Sequence, residues 1–527
     1  MDQSRPARVA ASLAEFCSRP PLTAAGPGPA AEPDPAAEQQ WLVDLFHQVA
    51  TSVPAYQHFL RQHEVKAADV RTLADFRRLP LVSKENYHTR YPLSQRCRDG
   101  ELASCDMIAV SSGSTGHPTY WPRFVTDELA AAARFEQIFH DSFEADAKPT
   151  LAVVCFPLGT WVGGLYTASC CRHLAIKGYQ VTVVAPGNDK EEILRVVPDL
   201  AADFAQTVLL GYPPFLKDLV DTGIARGVPW ASMNIRLVLA GEVFSEDWRD
   251  LIGTRAGMRR PTHDSAALYG TADGGVLGNE TPLSITIRRF LAGSPGAAQA
   301  MFGQSRLPTL VQYDPRSRFF EEHDGTLLFT ADSGVPLIRY HIADEGGIVP
   351  YEQAIELCRQ HGFDPLDALG GARGVRELPF VYVFGRSHLA VSFYGANVYP
   401  ENIAAGLEQP QVSAWVTGKF VLEVVEDADR NRRLAVAVEL APGEPAPGEQ
   451  GDPERQRTAA QSIRTQLRRR NSEFAHYVPE ECQEPQVTLL PAGDPDYFPR
   501  GVKHRYTRKP APGANDTIEK RGGLRSR

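Results

Sequence analysis

The segment best equipped for chemistry is Val110-Ser111-Ser112-Gly113-Ser114-Thr115-Gly116-His117-Pro118-Thr119. It follows the short apolar stretch Met107-Ile108-Ala109-Val110, as a loop leaving a strand would. Glycines let backbone N–H groups approach a polyanion and the hydroxyls add donors, so the loop suits phosphate. It lacks the lysine that closes a P-loop, and alone it reads equally well as a flexible Ser/Gly turn. Four more segments follow in order. Tyr269-Gly270-Thr271-Ala272-Asp273 ends an apolar approach with an aromatic ring, a glycine and a carboxylate. Arg339-Tyr340-His341-Ile342-Ala343-Asp344 places a second carboxylate after the strand-like LLFTADSGVPLI. Gly385-Arg386-Ser387-His388 precedes Tyr394-Gly395-Ala396-Asn397, and Phe498-Pro499-Arg500-Gly501-Val502-Lys503-His504-Arg505-Tyr506 lies near the end.

The elements that must position these groups alternate between residues 151 and 240. LAVVCF, QVTVVA, TVLL and IRLVLA read as short strands, and VGGLYTASCCRHLAIKG and EEILRVVPDLAADF read as helices between them. Apolar runs separated by helical segments predict crossover units and a mostly parallel sheet. Residues 412–490 read as a small α+β module: strands FVLEVVED and RLAVAVEL about a polar turn, the helix PERQRTAAQSIRTQLRRR, and the strand PQVTLL. The expected division is a disordered leader (1–40), a large α/β domain (41–387), a small C-terminal domain (388–509) and a disordered tail (510–527). Arg19–Gln40 is rich in Ala, Pro and Gly and buries little apolar surface.

The chain has 527 residues, a net charge of −9 and a hydrophobic share of 43%. That length supports one large core and a smaller one. Charges of both signs are interspersed, so no basic face points to nucleic acid. No apolar run approaches the roughly 18 residues of a membrane span, and the N-terminus lacks a secretory h-region. The eight cysteines show no metal-binding spacing. Cys170 and Cys171 read as buried free thiols, which fits a reducing cytoplasm.

In these motifs and their order the chain resembles the adenylate-forming superfamily of acyl-CoA synthetases, adenylation domains and luciferases. It is most similar to the phenylacetate–CoA ligases. Leu79-Pro80-Leu81-Val82-Ser83-Lys84 looks like that branch's approach segment, and Pro118-Thr119 like the end of its phosphate loop. The resemblance runs from about Trp41 to Lys503. It implies a large nucleotide-binding domain with a small mobile domain behind it. It implies that Ser111, Ser112, Gly113, Ser114, Thr115 and Gly116 hold the β- and γ-phosphates of ATP. Gly241 and Glu242 fall at the family's adenine-side segment, Tyr269, Gly270 and Thr271 at its aromatic motif. Tyr269 would stack on adenine, Asp273 would help bind Mg²⁺, Asp344 would take the ribose hydroxyls, and Arg386 would contact ribose or phosphate. Lys503 is the implied catalytic lysine, reaching the α-phosphate and the attacking carboxylate. It is preferred to Lys509 because Lys-His-Arg-Tyr imitates the family's lysine followed by basic residues.

Two positions depart from the family. Ala272 stands where a Thr or Ser hydroxyl usually precedes the acid, and His388-Leu389 where many relatives carry paired aspartates at the interdomain hinge. The acid-binding pocket is expected to draw on Phe156, Trp161, Gly163 and Gly164, whose flat and small side chains suit an aryl or arylacetic acid. The implied activity is ATP-dependent formation of an acyl-adenylate, then of a coenzyme A thioester. An amine or a carrier-protein thiol as acceptor stays open, as does a degenerate nucleotide-binding module and a homodimer. The stretches Leu283–Glu322 and Tyr351–Glu377 read as inserts that either cover the site or form a subunit contact.

Overall fold

The runs TLAVV and QTVLLG are buried along their whole length, and a strand buried on both faces belongs inside a sheet covered by helices. The computed structural model describes residues 5–20, 35–111, 119–304, 306–371, 373–386, 390–441, 443–445, 452–498 and 506–507. It divides into two compact units, one running to Gly385 and the other starting at Arg386.

In the first unit, the hairpin β1 (Met107–Ser111) and β2 (Thr119–Arg123) stands apart from an eleven-stranded sheet. The sheet contains β3 (Thr150–Val154), β4 (Val181–Val184), β5 (Gln206–Gly211), β6 (Ile235–Ala240) and β7 (Ser265–Thr271). These are followed by β8 (Gly275–Asn279), β9 (Thr309–Gln312), β10 (Arg318–His323), β11 (Thr326–Ala331), β12 (Leu337–Val349) and β13 (Phe380–Arg386). Its order is β10-β11-β12-β13-β9-β8-β7-β6-β5-β3-β4. The expected parallel strands pair in the order β4-β3-β5-β6, and β7 extends that run in parallel. Beyond β7 the pairings β7–β8, β8–β9 and β9–β13 are antiparallel, as are β10–β11 and β11–β12, so the whole sheet is mixed.

The parallel run reverses direction once. β4 lies outside β3, while β5, β6 and β7 continue on its other side. Such a reversal opens a crevice at the carboxyl ends of the strands, the usual place for a ligand in this kind of sheet. The helices Val125–Asp141 and Val162–Lys177 pack with one face of the parallel strands around Phe135, Cys170, Val154 and Leu210.

The N-terminal segment corrects the expected leader of residues 1–40. Arg5–Ser18 is a helix whose Phe16 is 7% exposed and joins that same core, with Leu13 and Cys17 beside it. The Lys177 ammonium lies 4.6 Å from the Phe16 ring. A second helix starts at Pro35, inside the stretch expected to be a disordered leader. Both insert-like stretches are structured. Helices Pro282–Ala292, Pro295–Phe302 and Tyr351–Gln360 build a core of their own against Leu310 and Phe380.

The second unit has the hairpin β14 (Val391–Phe393) and β15 (Ala396–Val398) and a three-stranded sheet. In that sheet β16 (Val416–Glu426) pairs antiparallel with β17 (Arg432–Leu440), and β18 (Gln486–Leu490) joins β17 in parallel. The helix Pro453–Arg470 lies against the helix Pro400–Leu407 at Gly406, where an added Cβ would stand 2.6 Å from the Ile463 Cα. The two helices meet backbone to backbone there. Gly406→Ala is therefore expected to destabilise this unit by roughly 1–3 kcal/mol. Hydrogen exchange would read it as lost protection in Pro453–Arg470, with β3–β7 unchanged; unchanged protection in that helix would contradict the packing.

Candidate functional site

The carboxyl ends of the parallel strands carry most of the expected residues. Phe156 leaves β3 and meets Tyr212, which leaves β5, edge to face with ring centroids 5.0 Å apart. The two rings thus stand on either side of the sheet's reversal. Phe156 is 2% exposed and Trp161 8%, so both pack mainly against protein. The helix beginning at Val162 starts directly after Trp161. Gly164 allows that start: an added Cβ would sit 2.2 Å from the Pro157 carbonyl oxygen. Gly163 lies over Phe156, 3.5 Å from its Cβ on the same measure.

The hairpin β1–β2 docks onto this segment. The Val110 amide donates to the Thr160 carbonyl at 2.8 Å, and the Trp121 indole N–H donates to Ser111 Oγ at 2.9 Å. Ser111 and Thr119 are paired across the hairpin and fix the two ends of the Ser/Gly loop. Ser112, Gly113, Ser114, Thr115 and Gly116 lie outside the described residues, as do His388 and Lys503. Arg386 is the last residue of β13.

After β6, Gly241 turns the chain with φ +85°, a conformation few side chains tolerate, and Glu242 follows at 9% exposure. The next strand brings the two expected carboxylates together with two tyrosines. The Tyr269 hydroxyl donates to Asp344 Oδ2 at 2.7 Å, and the Tyr340 hydroxyl donates to Asp273 Oδ2. Tyr269-Gly-Thr-Ala-Asp273 and Tyr340-His-Ile-Ala-Asp344 thus share one spacing, and each tyrosine holds the other segment's carboxylate. Asp344 is 5% exposed and Asp273 8%. A buried carboxylate is costly unless hydrogen-bonded, and the exchange supplies those bonds. Tyr269 also lies against Phe320, with centroids 6.3 Å apart and planes 25° apart. On β12, Arg339 and Ala343 have φ +49° and +62°, and the register with β11 slips on either side of Phe329. These irregularities re-aim Tyr340 and Asp344 away from a regular pleat.

The turn between β7 and β8 carries Asp273. Thr271 Oγ1 accepts the Gly274 amide at 2.9 Å, so this hydroxyl closes the turn and does not replace the one missing at Ala272. The buried Arg123 guanidinium, from β2, donates to the carbonyls of Ala272 and Asp273. Asp273 Oδ1 meets no donor among the described residues. No group of three or more His, Cys, Asp or Glu gathers into a metal cage among them. The donor set therefore fits a hard cation that brings most of its oxygens with it on phosphates and takes one from Asp273.

Behind the hairpin, buried His88 accepts an Arg96 N–H on Nδ1 at 2.6 Å. Burial, then the Arg96 charge, holds its pKa well below the ordinary histidine value, so the ring stays neutral. Its centroid lies 4.8 Å from that of Trp121 and 5.3 Å from that of Tyr340, between the ring bonded to Ser111 and the ring bonded to Asp273. Sequence reasoning missed Arg123, Trp121, His88 and the reciprocal tyrosine bonds. Only the repeated Tyr-x-x-Ala-Asp spacing was a visible signal for any of them.

No family model matches the chain. Three curated proteins named phenylacetate-coenzyme A ligase are similar to it. The one from Thermus thermophilus is 24% identical over 374 residues, covering 70% of this chain and 74% of its own. That of Aromatoleum evansii is 21% identical over 405 residues, covering 74% and 78%. That of Escherichia coli is 22% identical over 375 residues, covering 67% and 71%. Among solved structures, 2-hydroxyisobutyryl-CoA ligase in complex with 2-HIB-AMP and CoA superposes with a TM-score of 0.57. That match covers 91% of this chain and 90% of the ligase at 16% identity, and it establishes the fold. The chain is thus similar to phenylacetate-coenzyme A ligases and has the fold of 2-hydroxyisobutyryl-CoA ligase.

Tyr269→Phe leaves buried Asp344 without its phenolic donor and should cost roughly 1.5–3 kcal/mol in a denaturant titration; a silent substitution would mean the bond carries nothing. Asp127, whose carboxylate accepts the amides of Phe124 and Gly334, is pushed up to about 6 by burial, against the opposing charge of Arg123. A raised acid pKa means the folded chain binds the proton more tightly. Its stabilisation is therefore present below the unfolded value of about 3.9 and lost as pH rises towards 6. Asp127→Asn, which cannot ionise and keeps an acceptor, should gain stability over the parent across that window. Parallel stability–pH curves for the two proteins would refute the shift.

Proposed function

We propose that the protein activates an aryl or arylacetic carboxylic acid with ATP and transfers the acyl group to coenzyme A. The observation that carries the reading is the reciprocal Tyr269–Asp344 and Tyr340–Asp273 pair, which sets two hydrogen-bonded carboxylates at the carboxyl end of β7. Support also comes from the named relatives, three of which are phenylacetate-coenzyme A ligases.

In this reading the loop from Ser111 to Gly116 cradles the β- and γ-phosphates, with Ser111 held by Trp121. Gly241 and Glu242 flank the adenine and Tyr269 packs against it. Asp344 accepts the ribose hydroxyls while Tyr269 keeps the carboxylate oriented. Arg386 adds positive charge on the ribose or phosphate side. Tyr340 occupies one oxygen of Asp273 and leaves the other for a magnesium ion, which when bound neutralises charge on the phosphates. The acid lies by Trp161 and the Phe156-Gly163-Gly164 corner.

A carboxylate oxygen attacks the α-phosphorus, and the bond to the bridging oxygen breaks, so that pyrophosphate leaves. Lys503 stabilises the negative charge on the α-phosphoryl oxygens as this happens. The thiol of coenzyme A then loses its proton and attacks the acyl carbon. AMP leaves with the former carboxylate oxygen.

Carboxylate-dependent ATP–pyrophosphate exchange over a panel of acids tests the reading. Exchange with aryl or arylacetic acids is expected; absence of exchange with every acid would leave a nucleotide-binding module instead. Asp344→Ala should lower exchange about ten- to a hundred-fold with the fold intact, the worth of one charge-assisted bond. Lys503→Ala should abolish exchange yet still convert a supplied acyl-adenylate and coenzyme A into thioester. Loss of both half-reactions would assign Lys503 a structural role.

A further inference from the structure

Two arginines converge on the turn that carries Asp273. Arg123 is 1% exposed and comes from the small hairpin; Arg318 is 8% exposed and comes from β10, an edge strand of the large sheet. Arg123 donates to the carbonyls of Ala272 and Asp273, and Arg318 Nη2 reaches the Gly274 carbonyl at 3.5 Å, the outer limit of a hydrogen bond. Three consecutive carbonyls of one turn thus face two guanidiniums from different sheets. The arrangement is expensive. The Nε of each arginine is buried without an acceptor among the described residues. A buried charge with incomplete bonding costs stability unless the geometry it enforces is needed. Neighbouring carboxylates do not remove the need for an account: Asp127 spends its Oδ2 on the amides of Phe124 and Gly334, and Asp332 pairs outward with Arg98.

The turn itself explains what has to be held. Thr271 caps it through Gly274, and residue 272 is an alanine with no side-chain oxygen to anchor the segment. Tyr340 fixes only the carboxylate end of Asp273. The backbone of 272–274 is restrained by the arginines.

We propose that Arg123 and Arg318 are positioning residues that lock the 272–274 backbone so that Asp273 presents its free oxygen to a cation-bound nucleotide. This rests on the reading of Asp273 as a cation ligand, and the test separates the two. Equilibrium binding of Mg²⁺–ATP and of metal-free AMP is measured for the parent, Arg123→Met, Arg123→Lys, Arg318→Met and Asp273→Asn. Arg123→Met should weaken Mg²⁺–ATP about ten-fold or more and AMP less than about three-fold. Arg123→Lys, which keeps the charge and one donor direction, should recover a large part of that loss. Arg318→Met should act in the same sense with a smaller change. Should Arg123→Met fail to fold, Arg123→Lys and Arg318→Met carry the test, each with an expected loss confined to Mg²⁺–ATP. Equal losses for both ligands, or none for Mg²⁺–ATP, in the arginine variants would overturn the proposal. Asp273→Asn that leaves Mg²⁺–ATP binding unchanged would instead overturn the cation-ligand reading beneath it.

Discussion

Everything at the site depends on keeping two carboxylates both buried and hydrogen-bonded. Asp273 and Asp344 would be costly where they stand without a donor, and each receives a phenol from the segment that carries the other. The demand reaches far into the fold. β7 and β12 are separated in the sheet by β8, β9 and β13, so their side chains meet only because the sheet coils. The coil closes over Phe320 and Phe329, which lie between Tyr269 and Tyr340 in a continuous aromatic series. Left-handed residues at Arg339 and Ala343 give β12 the local bends it needs. Apolar packing supplies the stability, and the irregularities supply the aim.

The parallel half of the sheet plays the complementary part. Its strands need only be apolar and short, because helices cover both faces, and its single reversal of order creates the crevice flanked by Phe156 and Tyr212. Glycine at 164 lets a helix start against the Pro157 carbonyl, and the β1–β2 hairpin docks beside it through Val110. The hairpin fixes the ends of the Ser/Gly loop at Ser111 and Thr119, and through Arg123 it also touches the turn of Asp273. One small hairpin thereby links the expected phosphate loop to the expected cation ligand.

The crossover strands were legible in the sequence because LAVVCF, TVLL and IRLVLA are mostly apolar runs whose neighbours have helical period. The strands from β8 to β12 were much less so. β8 to β11 are short and mixed in polarity, and the longer β12 alternates buried and half-buried residues and slips register against β11, which only its partners explain. Tyr269, Asp273 and Asp344 were picked out by motif, but their mutual bonding depends on sheet coiling that no local pattern encodes. Buried Arg123, Arg318 and His88 look in sequence like ordinary surface residues; a charge is buried only where distant segments supply its partners. The helix Arg5–Ser18 was missed for a related reason. Its apolar stripe is short and settles only against the helices Val125–Asp141 and Val162–Lys177.

Adenylation bonds a carboxylate oxygen of the acid to the α-phosphorus of ATP. Turnover with an acid labelled with heavy oxygen in both carboxyl positions, followed by mass spectrometry of the products, reads this directly. The expected products are AMP carrying one heavy oxygen and a thioester retaining the other, with unlabelled pyrophosphate. Heavy oxygen in inorganic phosphate beside ADP, or unlabelled AMP, would contradict it.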